Sequence, residues 1–398
     1  MIFSAIVILS FLAINLLYAW NVFHSRHYLL KHKVINKNKK NAVILLIPMY
    51  QETKIVAQTF KYFYEVSRSC NVKVIFVTTE LEGSVADNQT HLALRKLVGN
   101  KRSILLEHYS EAHGSKAHQL NMVMEKYKDQ TDYFAVFDAD SRPDVRGIQY
   151  VQGAVQRTDV FQMPSTYLPH PSNALASQTM AVFQTRWSYC FEIPRWLAWQ
   201  SNPGDSHIMY TVGHGLFIQN SIRFSEKTIA EDLELGYRLA AQGATLSIVP
   251  FFDYALVPQR FITAVVQSSR WYYGELLAPA IFWRYATDAR TKHRAAYGYH
   301  SIIRYVQILL WMLGPILVIV SLILALPNIY LFSLGLVVIC LHWLLHLFIC
   351  RYQHASYRSL LLMPVKLAVN GLGPMLCVIY ILLDIMKMKE FRFVKTER

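Results

Sequence analysis

The sequence predicts an α/β protein that is built on a mostly parallel sheet and carries membrane-spanning helices at both ends. Short β-rich runs alternate with helical stretches between about residues 41 and 137, an order typical of a parallel sheet covered on both faces. Long apolar runs stand before and after the polar segment, at Met1 to Phe23 and from Tyr305 to Asp384. With 53% hydrophobic and only 17% charged residues, the chain is too apolar for a purely soluble protein.

The N-terminal apolar run predicts a membrane anchor. Met1 to Phe23 contains no charged side chain, and the next stretch, 24–40, is rich in lysine, arginine and histidine. This order fits a signal anchor whose basic flank stays in the cytoplasm, whereas a cleaved signal peptide carries basic residues before its apolar core. We therefore expect one membrane helix at this end of the chain.

The C-terminal apolar region predicts three further spans of about 20 residues each. They are Tyr305 to Leu326, Ile329 to Cys350 and Met363 to Asp384. The third contains Lys366 and two prolines, which fits a helix that starts at the interface, kinks or lines a polar cavity. One span before the polar segment and three after it would place the basic tail, 387–398, outside, against the preference of positive charge for the inside.

The net charge of +14 makes nucleic acid a conceivable partner. Much of the excess lies beside apolar spans, however, where it attracts anionic lipid headgroups, so we expect membrane lipids and no nucleic acid as partners. The five cysteines form no C-x-x-C motif and are interpreted as reduced, structural thiols. His342 and His346, one helical turn apart within a predicted span, could bind haem or a metal, but no second pair stands on another span, so a polar contact that faces the helix bundle is favoured.

A candidate metal site follows one of the predicted strands. The run Tyr133 to Asp144 reads as a buried strand that ends at two carboxylates, Asp138 and Asp140. Ligands of open α/β sheets bind beyond the carboxyl ends of the strands. Two hard oxygen ligands at that place suit Mg²⁺ or Mn²⁺ carrying a diphosphate. For an isolated Asp-x-Asp, a turn with a helix cap is the alternative.

Three other loops carry candidate ligand contacts. Tyr50 and Glu52 follow the first strand, where the ring could lie against a base and the carboxylate could accept from a ribose or base donor. Lys116 stands at a probable helix start, a position that suits phosphate. Gly213 and Gly215 allow close approach of the backbone to a ligand, although a turn explains them equally well.

Two downstream motifs complete the candidate site. Glu231 and Asp232 open a predicted helix, where carboxylates either complement the helix dipole or supply a catalytic base. Gln267, Arg270 and Trp271 lie near one another at helical spacing. Arginine suits phosphate, and the face of a tryptophan ring suits the apolar face of a sugar.

In this order and at these separations, the motifs resemble those of the processive branch of glycosyltransferase family 2, the membrane synthases of cellulose, chitin, hyaluronan and Nod-factor backbones. The resemblance implies a Rossmann-like GT-A domain with transmembrane and interfacial helices. It also implies inverting transfer of a hexose or N-acetylhexosamine from a nucleotide sugar, linked to uridine, to a growing polysaccharide at the cytoplasmic face of a bacterial inner membrane. The motif residues are Asp138, Asp140, Glu231, Asp232, Gln267, Arg270 and Trp271.

The resemblance further implies a role for each residue. Asp140 and Asp138 would hold the metal on the diphosphate, and Asp232, paired with Glu231, would deprotonate the acceptor hydroxyl. The chain departs from the family pattern after the second strand, where Glu80 or Glu82 is left to recognise the base. The implied donor contacts are Tyr50, Glu52, Glu80, Lys116, Asp138, Gln267 and Arg270, and the implied acceptor contacts are Trp271, Gly213, His214 and Gly215.

Two other functions stay open beside the polysaccharide synthase. One is an enzyme that adds a single sugar to a membrane lipid acceptor, and the other is a catalytically silent membrane scaffold or transport subunit.

The domain organisation predicted from these features has six parts. They are a transmembrane helix at 1–23, a basic linker at 24–40, a cytoplasmic GT-A domain at 41–275, an interfacial amphipathic segment at 276–304, transmembrane helices at 305–386 and a basic tail at 387–398.

Overall fold

A mixed sheet with helices on both faces forms the centre of the molecule in this computed structural model, and long apolar helices adjoin it. Gly213 and the predicted basic tail lie outside the residues that the structure describes. The described residues are 1–33, 36, 38, 40–110, 115–170, 174–201, 214–228, 230–258, 260–288, 294–353 and 357–385.

The strands of the described residues belong to two sheets. In chain order they are β1 (Val43–Pro48), β2 (Lys73–Thr79), β3 (Ile104–Tyr109), β4 (Tyr133–Val136), β5 (Arg142–Pro143), β6 (Val160–Gln162), β7 (Ser165–Leu168), β8 (Leu216–Gln219), β9 (Leu246–Ile248) and β10 (Asp253–Leu256). The main sheet has the order β3-β2-β1-β4-β8-β6-β9, and the small sheet has the order β5-β10-β7.

The main sheet is mostly parallel. Strands β1 to β4 pair in parallel, as do β6 and β9, whereas β8 is antiparallel to both of its neighbours. The apolar runs of the sequence explain this arrangement, because a strand covered on both faces has no solvent side to fill with polar residues. Leu45, Leu46 and Ile47 of β1 are completely buried.

Helices cover both faces of the sheet and continue beyond it. The helix predicted at Lys116 begins there, with Ser115 and His118 forming a reciprocal cap. The helices are α1 (Ile2–Lys31), α2 (Val56–Cys70), α3 (Gln89–Val98), α4 (Lys116–Tyr127), α5 (Val145–Gly153), α6 (Leu175–Trp187), α7 (Ile193–Ser201), α8 (Glu231–Ala241), α9 (Phe261–Thr287), α10 (Arg294–Ala325), α11 (Ile329–Gln353) and α12 (Met363–Ile385).

Among the described residues, four helices are long and apolar enough to cross a membrane, one at the N-terminus and three near the C-terminus. Together with the mostly parallel, helix-covered sheet, this confirms the predicted fold class. Helix α1 continues to Lys31, past the predicted end at Phe23, because no proline or glycine interrupts it. The predicted domain border at residue 275 falls inside α9, which runs without interruption to Thr287 although it contains Pro279.

The topology brings the predicted loops to one edge of the sheet. Because β1, β2 and β4 are parallel neighbours, the residues that follow them emerge on the same side. Tyr50 and Glu52 follow β1, Glu80 follows β2, and Asp138 and Asp140 follow β4. The structure thus places the first three groups of candidate residues at the carboxyl edge of the sheet.

Candidate active site

The loop after β4 is held in a fixed conformation. The backbone N–H of Ser141 donates to the carbonyl of Asp138 at 3.0 Å, which closes a tight turn. Thr59 from α2 donates its hydroxyl to the carbonyl of Ala139 at 2.6 Å. The side chain of Asp138 is about one-third exposed, whereas Asp140 is 5% exposed. One carboxylate therefore faces the open edge of the sheet, and the other lies beneath it.

Lys116 connects this loop to the acidic pair. Its Nζ lies 3.0 Å from Oδ1 of Asp138. Burial opposes the charged ammonium, but the negative charges of Asp138, Glu231 and Asp232 outweigh it and raise the pKa of Lys116. Residues that are about 115 positions apart in the sequence are thus close enough to interact electrostatically.

Glu231 and Asp232 occupy the first turn of α8, as the sequence predicted. Oδ1 of Asp232 accepts a hydrogen bond from the backbone N–H of Leu233 at 2.8 Å. Burial and the adjacent charge of Asp232 raise the pKa of Glu231, while Lys116 acts in the opposite direction. Two acids that share one site titrate as a pair, and a carboxyl whose pKa is raised toward neutrality is suited to proton transfer.

Helix α9 carries the Gln-x-x-Arg-Trp motif and brings its arginine, Arg270, near Asp138. Burial lowers the pKa of Arg270, and the nearby negative charge of Asp138 acts in the opposite direction. Nε of Arg270 has no hydrogen-bond partner among the described residues. Gln267 is buried, and its Oε1 accepts from Nε2 of Gln184 at 3.1 Å. Trp271 is 44% exposed and offers an open ring.

His214 belongs to a buried polar network beside Asp138. Its Nδ1 lies 2.9 Å from Oδ2 of Asp253 and 3.1 Å from the hydroxyl of Ser165. Burial disfavours the imidazolium, but Asp253 overcomes this, with smaller contributions from Asp138 and Glu192, and raises the pKa of His214 to about 9. Asp253 thus stabilises the protonated form of His214.

Asp253 belongs to the same network, although no motif in the sequence indicates it. It is completely buried at the start of β10, and its Oδ2 also accepts from the hydroxyl of Ser141 at 2.9 Å. It therefore ties the Asp-x-Asp loop to His214. No motif marks this aspartate in the sequence, because its partners come from segments that only the small sheet brings together.

Gly215 has a steric role that the sequence did not indicate. Its φ is +66°, and a Cβ at this position would lie 2.8 Å from the backbone carbonyl of Met163. The close approach that the structure shows is thus to Met163, directly after β6, whose backbone N–H donates to the carbonyl of Gly215 at 2.7 Å. An acceptor contact by Gly215 stays a prediction.

The loops after β1 and β2 support each other. Glu82 accepts from the backbone N–H of Gln51 at 2.6 Å and from the hydroxyl of Thr90, so it fixes the first loop. Oε2 of Glu80 lies 2.8 Å from Nε2 of His108. Tyr50 is 38% exposed at the same edge. Glu82 thus serves as a support for the loop, and Glu80 is engaged by a histidine of β3.

Asp138 and Asp140 are the residues that could hold a metal. Among the described residues, no group of three or more histidine, cysteine, aspartate or glutamate side chains is arranged around a common metal position. Mg²⁺ in phosphate-transfer sites commonly takes one or two carboxylates from the protein and further oxygens from the substrate. The two aspartates fit that type of site, in which a bound diphosphate completes the ligand set.

Solved structures that are similar to this chain include a mannosyltransferase and a fragment of the protein TarS. A mannosyltransferase from Pyrobaculum calidifontis, in complex with GDP-Man and Mn²⁺, is 14% identical, with a TM-score of 0.49, and the match covers 92% of this chain and 99% of that one. Residues 1–349 of TarS from S. aureus, in complex with UDP-GlcNAc, are 12% identical, with a TM-score of 0.46 and coverage of 88% and 93%. No curated protein sequence matches the chain.

The family model described as glycosyl transferase family group 2 matches residues 133–383. The match begins at β4, just before the Asp-x-Asp loop, and extends through α8 and α9 into α12. It therefore includes more than half of the chain, together with the acidic pair and the Gln-x-x-Arg-Trp motif. The chain belongs to glycosyl transferase family group 2.

Proposed function

We propose that this protein is an inverting glycosyltransferase that moves a hexose or N-acetylhexosamine from a UDP-sugar to a hydroxyl of a growing polysaccharide at the cytoplasmic face of the membrane. One observation carries the proposal. Lys116 forms an ion pair with Asp138 at 3.0 Å, and Glu231 and Arg270 lie close enough to this carboxylate for its charge to act on them, which supports a single site for the three sequence motifs. The site lies at the carboxyl edge of the sheet, where α/β proteins bind nucleotides.

The donor side of the site has cationic groups for the diphosphate. Lys116 and Arg270 both lie near Asp138, and each suits phosphate oxygens, Lys116 as a point charge and Arg270 as a planar fork. Asp138 and Asp140 would hold Mg²⁺ or Mn²⁺. When bound, this ion supplies positive charge that stabilises the leaving diphosphate. Tyr50 is open at the same edge and would contact the base.

The acceptor side has the groups that displacement at the anomeric carbon requires. The hydroxyl of the acceptor loses its proton to Asp232 or to its partner Glu231 as the oxygen attacks. The bond between the sugar and the diphosphate breaks on the opposite face of the anomeric carbon, so the configuration inverts. The exposed ring of Trp271, one residue after Arg270, would support the acceptor sugar.

The test is a screen of the purified full-length protein against UDP-sugars and GDP-mannose with Mn²⁺ or Mg²⁺. We expect release of the nucleoside diphosphate with one class of donor and a product whose mass increases by repeated sugar units. Asp232→Asn should lower kcat by about 10²–10⁴, because general base catalysis contributes that much. Asp129→Asn, which removes an exposed carboxylate outside the site, should leave kcat unchanged.

Two outcomes would contradict parts of the proposal. If no nucleotide sugar is turned over, the assignment as an active transferase is wrong and the scaffold alternative gains. If the products are discrete lipids that each carry one sugar, the transferase chemistry stands and the polysaccharide acceptor is wrong.

A further inference from the structure

A second group of ionisable side chains lies between the membrane-length helices, apart from the donor site. It consists of Arg186 from α6, His342 and His346 from α11, and Lys366 from the first turn of α12. These residues are 7%, 5%, 0% and 3% exposed, respectively. We call these four residues the cationic cluster.

The cations of the cluster surround one aromatic ring. Cζ of Arg186 lies 4.6 Å from the centre of the Phe183 ring, and Nζ of Lys366 lies 4.8 Å from the same centre. Nη1 of Arg186 is 3.5 Å from Nε2 of His342. The two permanent charges are thus near neighbours.

The cluster lacks an anion in the part of the chain that the structure describes. Neither Arg186 nor Lys366 forms an ion pair with a described carboxylate, and Nε of Arg186 and Nε2 of His346 have no hydrogen-bond partner there. A ring face stabilises a desolvated cation only in part. Burial of an unpaired charge costs more than one such contact returns, so the ring alone does not compensate.

The surroundings of the cluster are apolar and lie near the catalytic domain. Apolar side chains of α6, α11, α12 and the short helical turn before α12 form one packed cluster around Phe183. Lys366 stands at the beginning of α12, and α6 also carries Gln184, which contacts Gln267 of the donor site. Gln184 and Arg186, two residues apart, point to nearly opposite sides of α6. The cluster therefore lies on the opposite face of α6 from the contact with Gln267.

We propose that the cationic cluster binds the phosphate group of an anionic membrane lipid, taken from the leaflet that faces the catalytic domain. A guanidinium and an ammonium together match the charge and the acceptor oxygens of a phosphodiester. Apolar walls suit the acyl chains, and basic pockets between membrane helices on the cytoplasmic side bind the headgroups of anionic lipids. The inference concerns a lipid bound by the protein and does not depend on the sugar donor or acceptor.

The test measures thermal unfolding of the delipidated full-length protein in a neutral detergent. Phosphatidylglycerol, phosphatidylcholine and inorganic phosphate are added separately. We expect phosphatidylglycerol to raise Tm more than either of the other two. Arg186→Gln and Lys366→Gln should each raise the phosphatidylglycerol concentration for half of the effect by about tenfold, the loss of one charged contact.

Arg351→Gln is the matched control, because it removes an exposed cation from the last turns of α11, at the same end of the bundle. It should respond to phosphatidylglycerol as the wild type does. The proposal is overturned if phosphatidylcholine stabilises equally, if the two cluster variants keep the wild-type response, or if inorganic phosphate alone gives the full effect.

A second measurement starts from the wild-type protein, so its main result does not depend on whether a variant folds. Native mass spectrometry of the wild-type protein, incubated with equal amounts of both phospholipids, should show phosphatidylglycerol retained in preference to phosphatidylcholine. Lys366→Arg, which keeps the charge, should retain the lipid. Equal retention of both lipids by the wild type would also refute the proposal.

Discussion

Asp138 is the residue whose charge acts on most of the ionisable groups of the candidate site. It pairs with Lys116 at 3.0 Å, and its charge also acts on His214, Glu231 and Arg270. Lys116 and Arg270 are cations, so the charge of the carboxylate is partly compensated before any donor binds. A diphosphate that enters with its metal would meet the same cations, which is why we expect the site to select a doubly charged leaving group.

Asp140→Asn tests the metal assignment. We expect the variant to need at least about tenfold more Mn²⁺ for half-maximal activity, because a neutral amide is a weaker ligand than a carboxylate. The measurement is a Mn²⁺ titration of activity after removal of metal with a chelator.

Asp144→Asn provides the control for that titration. Asp144 belongs to the same segment but caps α5, so its loss should lower stability and leave the metal requirement unchanged. An Asp140→Asn enzyme with the wild-type Mn²⁺ requirement would show that Asp140 is not a ligand.

Glu231→Gln tests the raised pKa of Glu231. Because the pKa is higher in the folded chain than in the unfolded chain, the folded state holds a proton that the unfolded state releases, and stability falls as pH rises from the ordinary glutamate value to the raised one. Glutamine removes this penalty. The variant should therefore unfold on the order of 2–4 °C higher than the wild type at pH 8.5 and at about the same Tm at pH 4.5.

The control for this comparison is Glu65→Gln, an exposed position on α2. It should leave Tm unchanged at both pH values. A Glu231→Gln protein that is less stable than the wild type at pH 8.5 would mean that the carboxylate stabilises the fold, which is opposite to the effect expected from a raised pKa.

At the scale of the element, α8 is the helix whose position decides whether the acidic pair meets Lys116. Polar contacts connect α8 to α9 and α10, the two helices that follow it. Tyr285 of α9 donates to Oε1 of Glu234 at 2.8 Å, and Nη2 of Arg304 of α10 donates to the hydroxyl of Tyr237 at 2.8 Å. Nη1 of Arg304 is also 3.3 Å from Oε2 of Glu275 in α9. Helix α8 is thereby attached to α10, a helix long enough to span the membrane.

Arg304→Gln tests this attachment. The side chain of Glu275 is only 15% exposed, so the change leaves a buried carboxylate without its cation. We expect a loss of about 3–5 kcal/mol in stability, together with a lower kcat, as measured by thermal unfolding and by turnover. The double variant Glu275→Gln, Arg304→Gln should recover much of the stability, and an Arg304→Gln protein as stable as the wild type would contradict the role.

At the scale of the whole molecule, the structure combines one α/β domain with four membrane-length helices, α1, α10, α11 and α12. If all four cross, the catalytic domain and the connection between α11 and α12 lie on one side of the membrane. The short connection between α10 and α11 then lies on the other side. The proposed use of a cytoplasmic nucleotide sugar requires this arrangement.

Accessibility of introduced cysteines tests the arrangement. Pro327→Cys, between α10 and α11, should react with a membrane-impermeant maleimide in intact cells, and Asp129→Cys, on the catalytic domain, should react only after permeabilisation. The wild-type chain, with its five native cysteines, gives the background. Labelling of both positions from the same side would exclude four spans.

The fold class and most of the candidate catalytic residues could be predicted from the amino-acid sequence alone. The alternation of short apolar strands with helices predicts a parallel sheet, and long apolar runs predict membrane helices, because both signals are local. The Asp-x-Asp, the acidic pair and the Gln-x-x-Arg-Trp motif could be found for the same reason. Each consists of neighbouring residues whose spacing fits one strand end or one helix.

The tertiary structure was needed to establish which side chains meet. Ser141 and His214 both contact Asp253 at the start of β10, and Glu82 supports a loop that follows another strand. Arg186 and Lys366, from helices far apart in the sequence, contact the same ring. Such contacts have no sequence spacing to reveal them. In an interior of low dielectric, the charge state of a buried ionisable group depends on its nearest polar and charged partners, and only the packing of the folded chain decides which partners these are.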